Sequence, residues 1–288
     1  MDLPNDLTSF LLSNNTPLED FSGLTPTEMH FLLYDTFGED SPVQLRSDIN
    51  DATLDQIPLF RIAEGFLKII KRDKFIKLTP HRALPQKVLV ELYEQKFLPD
   101  EFIESGIVKL HREHDCLSIR SARLAVGFAR FVKKSHGRLS LTQKGTKILQ
   151  AKNRIQFFRI FLASFTNQFN WSYNDAYPDF PIGQLGWAFT VYLLAKFGDR
   201  PRTVGFYADK YLKAFPDFID YFPPFYYTPP QIQFQHCYGV RTFERFLDWF
   251  GFVTIEKQKP YFDMDNCKIT RTDLLHKIFA FKPNVFEF

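Results

Sequence analysis

Apolar residues recur at helical spacing along most of this 288-residue chain, and short alternating runs interrupt them. Residues 1–24 read as an exposed arm with a short helix near residues 7–12. Thr25-Pro26-Thr27-Glu28 predicts a helix start, with Thr25 as N-cap, proline in the first turn and Glu28 reaching back, and the helix runs to about Tyr34. Residues 38–58 are acidic and turn-rich. Phe60, Ala63, Phe66, Leu67 and Ile70 then mark one face of a helix. Three later segments share a plan: an apolar helix, a polar crossing, a strand ending in an aliphatic residue plus Thr, and another helix. Their hairpins are expected near 75–79, 131–142 and 252–270, where the Thr after the second strand can cap the next helix. Ser135-His136-Gly137 supplies the middle turn.

The helix expected over 118–132 is mostly apolar, with Arg120, Arg123 and Arg130 on one narrow stripe at 100° per residue. Gly127 lies within that stripe and removes a side chain where a backbone or phosphate can come close. The corresponding C-terminal helix has Val240, Phe243, Phe246, Leu247 and Phe250 on its apolar face. Arg241, Glu244, Arg245 and Asp248 form a mixed polar face, expected to be solvated.

Charge sharpens this division. Residues 1–58 hold one base, Arg46, against eleven acids. Residues 59–150 hold nineteen Lys and Arg against nine acids, and residues 151–288 sixteen against thirteen. No acid occurs between Asp115 and Asp175, a gap that holds eleven bases. Such a run points either to an anionic partner, most often nucleic acid, or to a solvated face that balances the acidic N-terminal segment. The 34 phenylalanines call for a core, an aromatic binding surface, or both. Three scattered cysteines exclude a disulfide framework. The acidic opening lacks the basic flank of a signal peptide, and no uncharged stretch reaches about 20 mostly apolar residues. A cytoplasmic protein without a membrane partner is expected.

Leu139-Ser140-Leu141-Thr142-Gln143-Lys144-Gly145 is similar to the wing-end pattern of winged-helix regulators, in which a helix-turn-helix precedes a β-hairpin. The resemblance covers 118–150 best, 59–97 and 240–281 less well, and residues 1–58 not at all. The opening Gly23-Leu24-Thr25-Pro26 with Met29-His30-Phe31-Leu32-Leu33-Tyr34 also looks like that of uncharacterised bacterial proteins, a likeness that carries no activity. The expected architecture is mainly α with short β-hairpins. It comprises an acidic helical segment (1–58), two basic winged-helix-like modules (59–150), and an aromatic-rich helical region ending in a third such module (151–288). In that family the helix before the hairpin enters the major groove. The resemblance therefore implies duplex DNA contacts from Arg120, Arg123 and Arg130, with Lys133, Lys134, Arg138 and Lys144 at the wing near phosphates.

Other chemistry is thinly represented. His111-Arg112-Glu113-His114-Asp115-Cys116 has metal-type residues, yet a structural zinc site wants four ligands and no second cluster is evident. Neither a phosphate-binding glycine loop nor a nucleophile elbow is present. The loops 171–180 and 221–230 have the composition of ligand-contact loops, but their ordinary role is to pack across helices. The reading is a non-catalytic protein without cofactor or metal. Its alternative is a protein-interaction scaffold in which the modules act as spacers and the aromatic C-terminal half meets a protein partner.

Overall fold

A computed structural model describes residues 14–173, 175–224, 228–256 and 267–282. The expected helix near residues 7–12, and parts of the loops 171–180 and 221–230, lie outside the described residues. The chain is mainly α-helical with short antiparallel strands. In order, the elements begin with α1 (Pro26–Tyr34), β1 (Val43–Leu45), α2 (Asp51–Leu54), α3 (Pro58–Asp73) and β2 (Ile76–Lys77). There follow α4 (Gln86–Tyr93), α5 (Glu101–Glu104), α6 (Leu117–Phe128), β3 (Val132–Ser135), β4 (Arg138–Leu141), α7 (Gln143–Ile148) and α8 (Arg154–Asn167). The rest are α9 (Trp187–Phe197), β5 (Arg202–Thr203), α10 (Val204–Ala214), α11 (Pro230–Tyr238), β6 (Val253–Glu256), β7 (Lys268–Arg271), α12 (Asp273–Ile278) and β8 (Phe279–Phe281).

The chain divides into two compact units. Residues 49–170 and 249–251 form a basic unit with 22 Lys and Arg against 11 Asp and Glu. The remainder forms an aromatic unit, in which acids outnumber bases by 22 to 14. The acidic opening is therefore not a subdomain of its own. Its strand β1 pairs with β8 (Val43 opposite Phe281), and α1 packs on α9, so residues up to Asp48 are part of the aromatic unit. Thr25 and Glu28 form the expected capping box at the start of α1, with N–H to side-chain oxygen distances of 3.1 and 2.8 Å.

With the one-turn helix α5 left aside, both units contain the order helix, strand, helix, helix, strand, strand, helix. In the basic unit these are α3, β2, α4, α6, β3, β4 and α7; in the aromatic unit α9, β5, α10, α11, β6, β7 and α12. Each sheet is antiparallel, and its third strand lies in the middle: β2-β4-β3 in one and β5-β7-β6 in the other. The core of the basic unit gathers Phe60, Phe66, Phe131, Phe157, Phe158 and Phe161, all nearly or fully buried. Phe60 and Phe131 meet Phe157 edge-on at 4.9 and 5.2 Å, the favourable aromatic geometry. The tripeptide Trp249–Gly251 belongs here too: Leu59 N–H donates to the Trp249 carbonyl at 2.9 Å, and Phe250 packs on Phe165.

Three expectations need correction. Ile76–Lys77 forms no hairpin of its own. It is the outer strand of a single sheet, with Ile76 opposite Leu139, so 59–150 holds one three-stranded sheet and not two hairpins. After two strand residues the chain turns, with Thr79 N–H bonded to the Ala83 carbonyl, and leaves nothing nearby in sequence to pair with. Second, the helix over 118–132 stops at Phe128. Phe131 N–H returns to the Val126 carbonyl and Arg130 N–H to Gly127, with Arg130 at φ +59°: a Schellman closure. Third, Gly239–Asp248 winds as a π-helix continuing α11. More residues per turn displace the α-helical stripe, so Arg241 is buried rather than solvated, while Val240 is half-exposed.

Candidate nucleic-acid interface

Helix α6 is anchored by small and aliphatic residues. Ile119, Ala122, Ala125 and Val126 are buried, and the alanines permit close approach of α3, α4 and α8. Its outer face carries Arg120, Arg123, Leu124, Gly127 and Phe128, of which Gly127 and Phe128 are exposed. A Cβ added at Gly127 would meet nothing within 4 Å, so this face is open at the end nearest the hairpin. The stripe of three arginines is corrected to two, since Arg130 lies past the last turn, exposed and in the left-handed region.

Arg123 is held by a buried carboxylate. Its Nε donates to Glu113 Oε1, while Glu113 Oε2 accepts from Leu84 N–H at 2.8 Å. Glu113 is only 3% exposed, so both its oxygens are consumed within the fold. The partner of Arg123 is thus a neighbour in the same unit and not a carboxylate of residues 1–58. Acids from that segment do neutralise other bases here. Arg154 reaches Asp55 at 2.6 Å and Asp51 at 3.4 Å, and Arg61 reaches Asp55 at 2.6 Å.

The β3–β4 hairpin is tight. His136 and Gly137 take φ +48° and +69°, the two-residue turn whose twist matches the flanking strands. Lys133, Lys134 and Arg138 are exposed. Lys134 lies opposite Leu139, and partial desolvation together with the charges of Arg82 and Arg123 lowers its pKa. Arg138 stacks over Phe75 at 4.4 Å, so part of its surface is committed.

The segment Leu139–Gly145 has a local explanation. Thr142 Oγ1 accepts from Gly145 N–H at 2.9 Å and donates to the Arg130 carbonyl at 2.8 Å, capping α7 and tying it to the end of α6. A Cβ at Gly145 would come within 2.0 Å of the Phe131 carbonyl oxygen, which requires glycine there. Lys144 Nζ donates to the Ala129 carbonyl at 2.9 Å, a cation at a helix C-terminus. Lys144 therefore has a structural task, whereas Arg130, Lys133 and Lys134 face solvent.

The segment 111–116 does not assemble a metal site. Cys116 is buried, its thiol pushed up by burial, and its Sγ lies 3.4 Å from Ser118 Oγ. Among the described residues no group of three or more His, Cys, Asp or Glu is placed to hold an ion. His111, Arg112 and His114 instead line a cavity of about 490 Å³ with His81, Arg82, Arg120 and Arg123. Reading the chain by helix faces missed Arg82 and Arg112, because both sit in turns. The signal available was cationic residues beside breakers, as in Pro80-His81-Arg82.

In the aromatic unit, loop 171–180 is held from inside. Arg241 donates to Asp175 at 2.7 and 3.0 Å and to the carbonyls of Phe180 and Pro178 at 2.6 and 2.9 Å. The side chains are 0% and 2% exposed, so this loop packs across helices through a buried ion pair. No described helix is long and apolar enough to cross a membrane. Comparison with protein-family models, with curated proteins and with solved structures finds no match to this chain.

Proposed function

We propose that the basic unit is a winged-helix module that binds duplex DNA, with α6 facing the groove and the β3–β4 hairpin against the phosphates. The observation that carries this reading is a helix and hairpin without a single carboxylate. From Cys116 to Leu141 there is no Asp or Glu, and Arg130, Lys133, Lys134 and Arg138 are all exposed there. The order helix, strand, helix, helix, hairpin, with the third strand central, supports the family assignment. Affinity in this reading comes mainly from neutralised phosphates and release of their counterions. Arg120 is the residue of α6 best suited to a base edge, and Lys133 and Lys134 position the backbone.

Fluorescence anisotropy with an arbitrary labelled duplex at two salt concentrations tests this. The wild-type chain binds with a steep salt dependence. The variant Arg130→Ala/Lys133→Ala/Lys134→Ala loses about one unit of log–log salt slope per phosphate contact removed, with its melting temperature kept. Salt-insensitive binding, or an unchanged slope in the variant, sinks the proposal.

For the aromatic unit the interaction-scaffold reading is favoured. On the first strand of its hairpin the described residues are Thr254, Ile255 and Glu256 where the basic unit has Lys133, Lys134 and Ser135, so two cations of the basic hairpin have no counterpart there.

A further inference from the structure

The cavity beside α6 has the features of a built site. Its wall comes from the turn 79–86, the segment 111–114 and the first half of α6. Four arginines line it (Arg82, Arg112, Arg120 and Arg123), and the only carboxylate in the lining is Glu113. Glu113 is used up by Leu84 N–H and by Arg123 Nε. That anchoring orients the Arg123 guanidinium, while neither of its Nη nitrogens makes a hydrogen bond among the described residues. A planar fork held by its Nε and open at both Nη groups suits two oxygens of one anion.

A second donor is oriented in the same way. The Gln86 side-chain amide donates to the Leu110 carbonyl at 3.1 Å, which fixes which end is nitrogen, and the same nitrogen lies 3.0 Å from His111 Nδ1. Nδ1 is then the acceptor, so the neutral ring carries its proton on Nε2 and offers it as a donor. Arg82 and Arg112 add two exposed cations at the rim. The volume falls within the range of small-molecule sites and exceeds what a single monatomic anion needs.

We propose that this cavity binds a phosphomonoester, with Arg123 and His111 on the phosphoryl oxygens and Arg82 and Arg112 closing over them. The site shares Arg120 of α6 with the proposed duplex face and lies near Lys134 of the hairpin, so its test uses variants at Arg82 and Arg112, which the duplex reading does not need. A phosphomonoester reaches the protein from two sources, a free phosphorylated small molecule or the 5′-terminal phosphate of a polynucleotide.

The test is calorimetric titration of the full chain with adenosine 5′-monophosphate, with adenosine as the uncharged control. It is joined by anisotropy with duplexes that differ only in a 5′-phosphate or 5′-hydroxyl. The expected result is binding of the nucleotide and not the nucleoside. Arg82→Ala/Arg112→Ala, at two exposed positions that leave the fold intact, weakens it at least tenfold. Arg123→Lys keeps the charge but loses the fork and weakens it similarly, whereas Arg130→Ala/Lys133→Ala leaves it unchanged. A tenfold preference for the 5′-phosphorylated duplex, lost in Arg82→Ala/Arg112→Ala, assigns the polynucleotide end. Nucleotide binding without that preference assigns the free small molecule. Absence of both, or binding indifferent to Arg82→Ala/Arg112→Ala, overturns the site even where duplex binding persists.

Discussion

At the same register of the same sheet, one unit presents Lys133 and Lys134 and the other Thr254 and Ile255. What the two units share is inside. Phe131 and Phe252 are both fully buried just after the third helix, and each returns its N–H to that helix, to Val126 and Leu247. Thr142 and Thr272 then donate back to the Phe131 and Phe252 carbonyls at 2.9 Å and begin the last helix. A handful of apolar and capping positions therefore suffices for the topology, while the outward positions between them are free to take either charge sign. The units also stabilise their third helix differently. The basic unit uses alanines and one partly buried arginine, and the aromatic unit uses a π-helix around a fully buried ion pair.

The largest expected effect probes that last contrast. Arg241→Ala or Asp175→Ala leaves one charge buried without its partner and should cost about 3–5 kcal/mol in denaturant unfolding. Replacing both by apolar residues of similar size should recover most of the loss. If the single changes cost under about 1 kcal/mol, the pair is not the anchor of loop 171–180.

The next effect concerns the matching helix ends. Arg130 and Gly251 both follow the third helix with positive φ, +59° and +74°. Glycine adopts that conformation freely, so Arg130→Gly should stabilise the basic unit by roughly 0.5–1 kcal/mol. Gly251→Ala should destabilise by about 1 kcal/mol or more. Equal and opposite responses in chemical denaturation sharpen the equivalence; a loss from Arg130→Gly breaks it.

Acid should separate the units by their titration windows. Burial, then the charge of Arg271, lowers the pKa of His276 in the aromatic unit. A histidine that folds neutral supports stability above its unfolded pKa near 6.5 and loses it as pH falls below that. In the basic unit a hydrogen bond from Arg154, then its charge, lowers the pKa of Asp55 beneath its ordinary 3.8. That contribution persists down to the carboxylate range and fades only below it. Thermal melts from pH 7 to 5 should therefore show a small loss that His276→Gln abolishes and Asp55→Asn does not.

Much of this was legible in the chain, and the rest fails for identifiable reasons. The capping box at Thr25, the turn at His136-Gly137 and the cap at Thr142 are local signals, read within a few residues, and each forms as its chemistry dictates. Thr79 and Thr270 cap no helix, since α4 starts after Pro85 and α12 after Thr272, neither with a side-chain cap bond. The basic character of 116–159 is equally plain. The pairing of Ile76–Lys77 with a strand some sixty residues later is not local, so the strand suggested a hairpin it does not have. The faces expected for 240–250 rest on α-helical periodicity, which the π-helix Gly239–Asp248 violates. The cavity was missed because its cations come from turns and a helix start, segments that hydropathy does not group.

The order in which the units occur along the chain has a consequence for synthesis. Strand β1 at Val43–Leu45 pairs with Phe279–Phe281, nearly the whole described chain away. The basic unit, by contrast, draws almost all its residues from one continuous stretch, 49–170. As the polypeptide emerges, that stretch has its three-stranded sheet and most of its core available early, while β1 stays an unpaired edge until the final strand appears. Closing so long a loop is entropically slow, but a prefolded insert shortens it, since α2 and α8 already pack together near its two ends. Vectorial folding would then proceed from the inserted unit outward, and a ribosome stalled before residue 268 would carry a basic unit with its sheet complete and an aromatic unit lacking two of its strands.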